Sequence, residues 1–229
     1  GQESLGNCYE HQRGADNAFA AQQRAYGAWL ASSGFNVPNH VIRLDWEANG
    51  YWYNWSILNG GAGVFKRAYQ NCVTNIRAGG GTKVKFNLCF NKGPSQSGAD
   101  YAAFPGAEYC DIVGIDDYDW WDATFDAGDR IDNENKTPGL QNARDFAVAN
   151  GIMWSLDEGG NVHVSPGGGD NPVYWQYMWD FCTDPDNYPS CAWHNTYSQD
   201  GDPDDLHHSF VPWNPTSFAY YRNNRWGRP

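Results

Sequence analysis

The 229-residue sequence lacks an excess of basic charge, since 15 Lys and Arg face 27 Asp and Glu for a net charge of −12. Such a surface repels phosphate backbones, so we expect no nucleic-acid partner. No apolar run approaches the roughly 18 residues that a bilayer span needs, so we expect no membrane partner. The first ten residues have neither a basic nor an apolar segment, and we expect that any signal peptide has been removed.

The six cysteines lack the Cys-x-x-Cys spacing of zinc and dithiol redox sites. Their wide spacing favours disulfides in an oxidising compartment. We expect one bond, between Cys182 and Cys191, because the loop between them is short and rich in Pro, Asp and Asn. The other pairings stay open. Two glycosylation triplets, at residues 54–56 and 135–137, agree with the secreted, extracellular location that we expect.

Two common signatures of enzymes are also missing. The sequence has neither a GxSxG elbow nor a phosphate-binding loop, so serine-hydrolase and nucleotide chemistry have no support. The acidic stretch at residues 111–132 does not have the spacing of an EF-hand loop. We interpret it as a solvated acidic loop, with calcium as the alternative, and we expect no cofactor and no metal.

What is present is an alternation of strands and helices. Short β-branched and apolar runs predict five strands, at residues 41–45, 84–88, 112–115, 152–157 and 191–195. Apolar residues every four positions over 64–76 predict a helix, and residues 16–32 and 137–151 predict two more. This order indicates an α/β fold of parallel βαβ units. Long Gly-, Asp- and Trp-rich segments follow the carboxyl ends of strands, so we expect the functional site at that edge.

Glu47 follows the first predicted strand. Ile42 and Leu44 alternate there with Arg43 and Asp45, so one face is apolar and the other charged. If the apolar face packs on helices, Arg43 and Asp45 point into the interior, where ions are tolerated only when they are paired. A carboxylate at the end of such a strand is a candidate catalytic group. The alternative is a solvated Glu at a polar strand end.

Glu158 holds the equivalent place on the fourth predicted strand. It shares its parity with Trp154 and Leu156, and Gly159-Gly160 turns the chain away. Parity directs the neighbouring Asp157 towards the helices, so Glu158 is the preferred candidate. Two carboxylates on different strands, among many Trp and Tyr, are what the cleavage of a glycosidic bond requires. Aromatic faces offer flat platforms for sugar rings, although about half of these aromatics are expected in the core.

These segments resemble a known family. The run RLDWEANGYWYNW resembles the acid-catalyst segment of glycoside hydrolase family 26, the β-mannanase family. DIVGIDDYDWW and SLDEGG are similar to two further strands of that family, and the likeness extends over residues 16–226. One departure is Asp45, which stands where the family usually has Gly.

The resemblance implies roles for five residues. Glu47 would be the general acid/base and Glu158 the nucleophile, with the Tyr118 hydroxyl near the nucleophile. Trp46 and Trp193 would be walls of the subsite that holds the cleaved sugar.

Four more residues are candidate substrate contacts. Trp52 and Trp120 are candidate platforms for sugar rings. Asn87 shares a parity with Lys85 and could point inward to a sugar, or else cap a loop. His194 could contact sugar hydroxyls, or else be a core histidine.

The family fold is a (β/α)8 TIM barrel in which the acid follows strand four and the nucleophile strand seven. Here the two glutamates follow the first and fourth predicted strands, so about three βα units are missing before residue 41. We therefore expect residues 1–229 to be a single catalytic (β/α)-barrel domain that corresponds to the C-terminal part of the barrel. A separate N-terminal fragment that completes the barrel is a possible partner.

The sequence thus predicts a secreted retaining endo-β-glycosidase that hydrolyses a polysaccharide, with mannan favoured by the resemblance. One alternative is a catalytically inactive carbohydrate-binding barrel. Another is an endo-glycanase that acts on a different polysaccharide, such as β-xylan or β-glucan.

Overall fold

The computed structural model describes residues 8–93, 100–119, 138–162 and 168–196, together with 215, 216 and 219. The helices are α1 (Cys8–Ala15), α2 (Ala20–Ser33), α3 (Ala62–Ala78), α4 (Leu140–Ala149) and α5 (Pro172–Thr183). The strands are β1 (Val41–Leu44), β2 (Lys85–Asn91), β3 (Ile112–Tyr118), β4 (Met153–Gly160) and β5 (Cys191–His194). Short 3-10 turns lie at Ile57–Asn59, Asp100–Ala103 and Tyr188–Ser190.

The strands form one parallel sheet in the order β1-β2-β3-β4-β5. Each strand therefore pairs with its neighbours along the chain, as successive βαβ units require. All five strands predicted from the sequence are confirmed. Because the strands are parallel, their carboxyl ends all lie on one side of the sheet, which we call its carboxyl edge. The residues that follow the strands meet there.

The predicted helix at residues 16–32 is confirmed as α2, which begins four residues later than predicted, and the sequence reasoning missed α1 before it. α1 ends at Ala15 and α2 begins at Ala20, and Asn17 between them has a φ of 62°. Asn is among the few residues that adopt this left-handed backbone readily, so the chain turns there rather than continuing the helix. The other two predicted helices are confirmed as α3 and α4. Within the described residues, no helix has the length and the hydropathy that crossing a bilayer would need.

The two faces of the sheet differ in chemistry. Alternate residues of the strands, such as Leu88, Ile115 and Trp154, are buried in the apolar core against the helices. The residues between them are polar and form the other face, which we call the polar face. Its members are Arg43, Asn87, Asp116, Ser155 and Asp157, which bond to one another. The period of two along each strand thus separates a dry core from a charged floor.

The predicted disulfide between Cys182 and Cys191 is wrong. Both residues are free thiols, as are the other cysteines whose side chains the structure describes: Cys72, Cys89 and Cys110. Cys182 is buried on α5. The Cys191 thiol is oriented towards the Trp193 carbonyl at 3.5 Å. The short loop between the two cysteines is closed instead by Asn187, whose amide donates to the Phe181 carbonyl.

Candidate active site

Glu47 lies in the turn that follows β1, on a strained stretch of backbone. Asp45 and Glu47 both have a φ of 51°, in the left-handed region that residues other than Gly rarely adopt. Such positions cost of order 1–3 kcal/mol each and persist where the surroundings fix them. Two hydrogen bonds fix this turn: the Ala48 N–H donates to the Cys89 carbonyl, and the Ile57 N–H donates to the Ala48 carbonyl. This backbone conformation places the Glu47 carboxylate at the carboxyl edge of the sheet.

Both oxygens of the Glu47 carboxylate accept hydrogen bonds. The Asn91 amide donates to Oε1 at 2.5 Å and the Trp52 indole N–H donates to Oε2 at 2.6 Å. Glu47 itself is only 8% exposed. Burial raises the pKa of Glu47, and the two N–H donors oppose this rise without cancelling it. A carboxyl with a raised pKa can hold the proton that an acid catalyst must deliver.

Glu158 is held in a different way at the end of β4. The Tyr118 hydroxyl donates to its Oε2 at 2.7 Å, and Arg43 Nη1 donates to its Oε1 at 2.5 Å. The side chain is 23% exposed, so it reaches solvent while its oxygens stay oriented. A guanidinium and a phenol hydroxyl stabilise the ionised carboxylate, which is the form that a nucleophile needs.

Asp157 does not face the helices, as its parity had predicted. It is 4% exposed, and its carboxylate lies 3.2 Å from Arg43 Nε and accepts the Ser155 hydroxyl at 2.5 Å. Asp157 shares its parity with Ser155 on the polar face, whereas Trp154 and Leu156 are the residues that face the helices. A bulge in β4 then brings Glu158 to the same face, because Ile115 pairs with Leu156 but Asp116 pairs with Glu158. The bulge lets two consecutive acidic side chains reach the same face of the sheet.

Arg43 is the centre of the polar face. Its guanidinium contacts Asp116 at 2.5 Å, as well as Asp157 and Glu158. One positive charge thus faces three carboxyl groups. Burial raises the pKa of Asp116 well above its ordinary range, and that of Asp157 as well, although Arg43 opposes both rises. Arg43 therefore points inward as the sequence predicted, and it links the floor of the site to the candidate nucleophile.

A metal ion is not needed to explain this cluster. Donor atoms of Cys89, Asp116 and Asp157 lie within 4.8 Å of one another, close enough for a cation. The Arg43 guanidinium already lies among them, with Nη2 at 2.9 Å from the Cys89 sulfur. It supplies the positive charge that a metal would bring.

Asp45 does not point to the polar face, contrary to the prediction. Its positive φ turns it to a cavity of about 270 Å³ between β1 and the helices, which His11, Trp55 and Cys72 also line. Withdrawal from bulk solvent raises the pKa of Asp45 to about 7. Because left-handed backbone favours Gly, this turn also explains why the related family usually has Gly at the position.

Aromatic rings surround Glu47 on the loop after β1. Tyr53 and Trp55 stack at 4.3 Å, and Trp46 packs on Trp55 at 4.5 Å. Trp52 is 48% exposed and Tyr51 is more so. The candidates Trp46 and Trp52 therefore lie beside the candidate acid, and the exposed ring of Trp52 is one that a sugar can contact.

Two other candidates have partners within the protein. Asn87 is completely buried and donates to Ser155 and Asp157, so it supports the floor of the site. His194 packs edge-on against Trp179 of α5 at 5.5 Å, on the helical side of the sheet. His194 is exposed, so it is not a core histidine, and its contact with sugar hydroxyls stays a prediction.

The remaining candidates are less constrained. Trp193 is half-buried on β5, the strand next to the one that carries Glu158. Trp120 lies outside the described residues. Asn91, in contrast, was missed by the sequence reasoning. The available signal was its place at the carboxyl end of β2, where an amide can reach the neighbouring turn.

The geometry brings Glu47 and Glu158 to one edge of the sheet. They are near enough that the charge of Glu158 raises the pKa of Glu47. A parallel sheet with helices on one face and functional residues at its carboxyl edge is the architecture of part of a (β/α)8 barrel. The chain belongs to glycosyl hydrolase family 26, whose model matches residues 31–156. The family resemblance inferred from the sequence is thereby confirmed.

The comparisons with individual proteins agree. A mannan endo-1,4-beta-mannosidase of Bifidobacterium adolescentis is 26% identical over 208 residues, which make up 86% of this chain and 20% of that protein. The GH26 endo-beta-1,4-mannanase catalytic domain of Bacillus sp. JAMB-750 superposes with a TM-score of 0.63 at 20% identity, over 90% of this chain and 56% of that one. A modular endo-beta-1,4-mannanase of Cellulomonas fimi superposes with a TM-score of 0.65 at 19% identity, over 91% of this chain and 47% of that one.

These structures confirm the barrel-type α/β fold. The chain spans about half the length of the solved structures that it matches, and a fifth of the curated relative.

Proposed function

We propose that this chain is a retaining endo-β-glycosidase that cleaves mannan, with Glu47 as general acid/base and Glu158 as nucleophile. The observation that carries the proposal is the contrast between the two carboxyl groups at one edge of the sheet. Burial favours the protonated form of Glu47, whereas Glu158 reaches solvent and its two oxygens accept hydrogen bonds from Arg43 and Tyr118.

The proposed reaction has two steps. In the first, Glu158 attacks the anomeric carbon while Glu47 gives its proton to the departing glycosidic oxygen, which leaves a glycosyl-enzyme ester. In the second, Glu47 takes a proton from water, the oxygen of which displaces Glu158 from the anomeric carbon. Both carboxyl groups return to their starting forms, and the configuration of the product is retained. This route predicts a carboxyl separation of about 5 to 5.5 Å.

Mannan is the proposed polysaccharide because the relatives named above are mannanases. The exposed aromatic rings of Tyr51 and Trp52 support a sugar polymer as the ligand but do not distinguish mannose from xylose or glucose units.

The test is incubation of the purified chain with mannan, β-1,3-xylan and mixed-linkage glucan, followed by assay of reducing ends. We expect new reducing ends with mannan, and an initial product of retained configuration by proton NMR. Glu158→Ala should lose at least a thousandfold in kcat, and Glu108→Gln, an exposed control, should match wild type. Inverted products would contradict the retaining route. Binding of mannan without cleavage would favour the inactive carbohydrate-binding barrel instead.

Two further proposals concern the setting of this site. The β1 strand is hydrogen-bonded to β2 alone among the described strands, so we propose that a separate fragment pairs with β1 and extends the sheet towards a barrel. An intact mass with amino-terminal sequencing of native material tests this, because a second species that copurifies would be required. Secretion is proposed from the sequence, and its test is detection of the protein in culture medium.

A further inference from the structure

The hydrogen bonds of Glu47 suit an ionised carboxylate better than an acid. Asn91 and Trp52 each direct an N–H at one of its two oxygens, and such bonds favour the charged form. An acid catalyst must instead direct its own proton from one oxygen to the glycosidic oxygen. Withdrawal of one of the two N–H donors would therefore favour the protonated form that the acid step needs.

The two donors differ in how firmly they are held. Asn91 ends β2, and its backbone forms a closed pair of bonds with Asn49: the Asn91 N–H donates to Asn49 Oδ1 at 2.7 Å, and the Asn49 amide donates to the Asn91 carbonyl at 2.8 Å. Asn49 is itself buried. Asn91 is thus fixed in the sheet and stays on Glu47.

Trp52 is held much less. It lies in the turn after β1, its ring is 48% exposed, and its ring contacts are edge-on to Tyr51 and Tyr53 at 5.1 and 6.4 Å. The ring lies directly over Gly50, where an added Cβ would come within 2.5 Å of it. Rotation of the indole away from Glu47 would break one hydrogen bond, and nearly half of the side chain is already exposed to solvent. Trp52 is therefore the donor that can leave.

On the basis of the proposed function, we propose that Trp52 is a cover that the substrate displaces from Glu47. In the free protein its indole N–H donates a hydrogen bond to Glu47 Oε2. When the sugar on the leaving-group side binds, it takes the place of the indole, and the freed oxygen carries the proton of the carboxyl group. That proton then passes to the glycosidic oxygen as the bond breaks, and water restores it in the second step. Trp52 is in this account a positioning residue that acts through Glu47.

The other groups that face Glu47 stay in place in this transition. Their charges or hydroxyls act on it from β1, β3, β4 and the loop after β1: Arg43, Asp116, Glu158, Tyr53 and Tyr118. A Trp52→Phe variant changes none of them and keeps a ring over Gly50. Its effect on the pH profile therefore isolates the indole N–H.

The experiment compares two pH profiles of mannan hydrolysis by Trp52→Phe. The basic limb of kcat/KM reports the free protein and that of kcat reports the complex. Loss of the N–H should move the kcat/KM limb up by about one pH unit, since a hydrogen bond to a charged group has about that effect on a pKa. The kcat limb should not move, because the cover has already left. Trp29→Phe, a Trp with the same 48% exposure on α2, should change neither limb.

Equal shifts of both limbs would show that Trp52 stays on Glu47 in the complex, and an unchanged kcat/KM limb would show that the N–H has no effect. Either result overturns the proposal. If wild type cleaves none of the glycans, the proposed function itself fails, which is a separate outcome.

A second measurement covers the case in which Trp52→Phe folds poorly. Indole N–H signals of a Glu158→Gln variant, labelled with ¹⁵N-Trp, are recorded by NMR with and without mannopentaose. Glu158→Gln prevents turnover, and a Glu47→Gln double variant identifies the signal that depends on the carboxylate. We expect mannopentaose to move that signal towards its position in the double variant. A signal that keeps its position while mannopentaose shifts other indole signals would contradict displacement.

Discussion

Asp157 and Glu158 are consecutive in the chain, yet both carboxylates contact the guanidinium of Arg43, at 3.2 and 2.5 Å. Side chains at adjacent positions of a regular strand point to opposite faces. The bulge in β4 removes that alternation at one point, so a buried structural acid and a solvent-reaching candidate nucleophile share one cation. The arrangement couples the stability of the sheet to the chemistry at its edge.

Replacement of Arg43 tests this coupling. Arg43→Ala leaves buried carboxyl groups without their cation, so we expect a loss of about 3–5 kcal/mol in the free energy of unfolding. Arg43→Lys keeps the charge but not the forked geometry, and we expect a smaller loss with kcat lowered at least a hundredfold. Urea denaturation and mannan hydrolysis measure the two effects. Arg144→Lys, which affects a pair with the adjacent Asp145, is the control. An active Arg43→Lys variant would show that the fork is dispensable.

Removal of the Tyr118 hydroxyl should affect activity more than folding. Tyr118→Phe loses the 2.7 Å bond to Glu158 but keeps the ring in its buried place. A hydrogen bond to a charged group contributes about 1.5–3 kcal/mol, so kcat/KM should fall about 10- to 100-fold. Tyr188→Phe, at an exposed position, is the matched control. Unchanged kcat/KM in Tyr118→Phe would remove this hydroxyl from the site.

Gly114 on β3 is predicted to tolerate no side chain. A Cβ there would lie 2.0 Å from Asp157 Oδ2, so Gly114→Ala must displace the buried carboxylate from Arg43. We expect a loss of about 2–4 kcal/mol in the free energy of unfolding, as for other broken buried ion pairs and overpacked cores. Gly63→Ala, in α3, meets only the end of Arg67 at 3.7 Å and should stabilise by up to about 1 kcal/mol. Equal denaturation midpoints for the two variants would contradict the contact.

Asp45 should make the stability of the protein depend on pH. Its pKa is raised from 3.8 to about 7, so the folded state resists its ionisation whereas the unfolded state does not. Stability should therefore fall as pH rises from about 4 to about 7 and then level off. Asp45→Asn, which still suits a left-handed backbone, removes this dependence. We expect it to gain about 1–3 kcal/mol over wild type above pH 7, after screening by solvent in the cavity.

The check is urea unfolding of wild type and Asp45→Asn at pH 4, 5.5 and 7.5. Asp186→Asn, at an exposed position, should run parallel to wild type throughout. A constant difference between Asp45→Asn and wild type across this range would show that Asp45 does not titrate near pH 7.

The strands were predictable from the sequence because their apolar runs are short and lie between helices. The two glutamates, Glu47 and Glu158, were predictable because each follows such a run. The bulge was not predictable, since a single extra residue in β4 leaves no mark on the apolar pattern. It brings Glu158 to the face that Asp157 occupies, although Glu158 has the same parity as the core residues Trp154 and Leu156.

Contacts between distant segments were the harder part. Asn91 reaches Glu47 across 44 positions of sequence, and an Asn at a strand end has many other uses. Arg43 was expected to be paired, but its partners lie 73 or more positions away on β3 and β4. The role of His194 was also open from the sequence, because parity alone does not say which side of β5 is the substrate side.

The spatial order of the strands repeats the order in which a ribosome makes them. Glu47 and Asn91 can meet as soon as two βα units have emerged, whereas Glu158 is synthesised more than 60 residues later. Arg43 gains its first carboxylate partner, Asp116, with β3, and it gains Asp157 and Glu158 only with β4. A nascent chain therefore acquires its first candidate reactive group early and its second only when β4 docks.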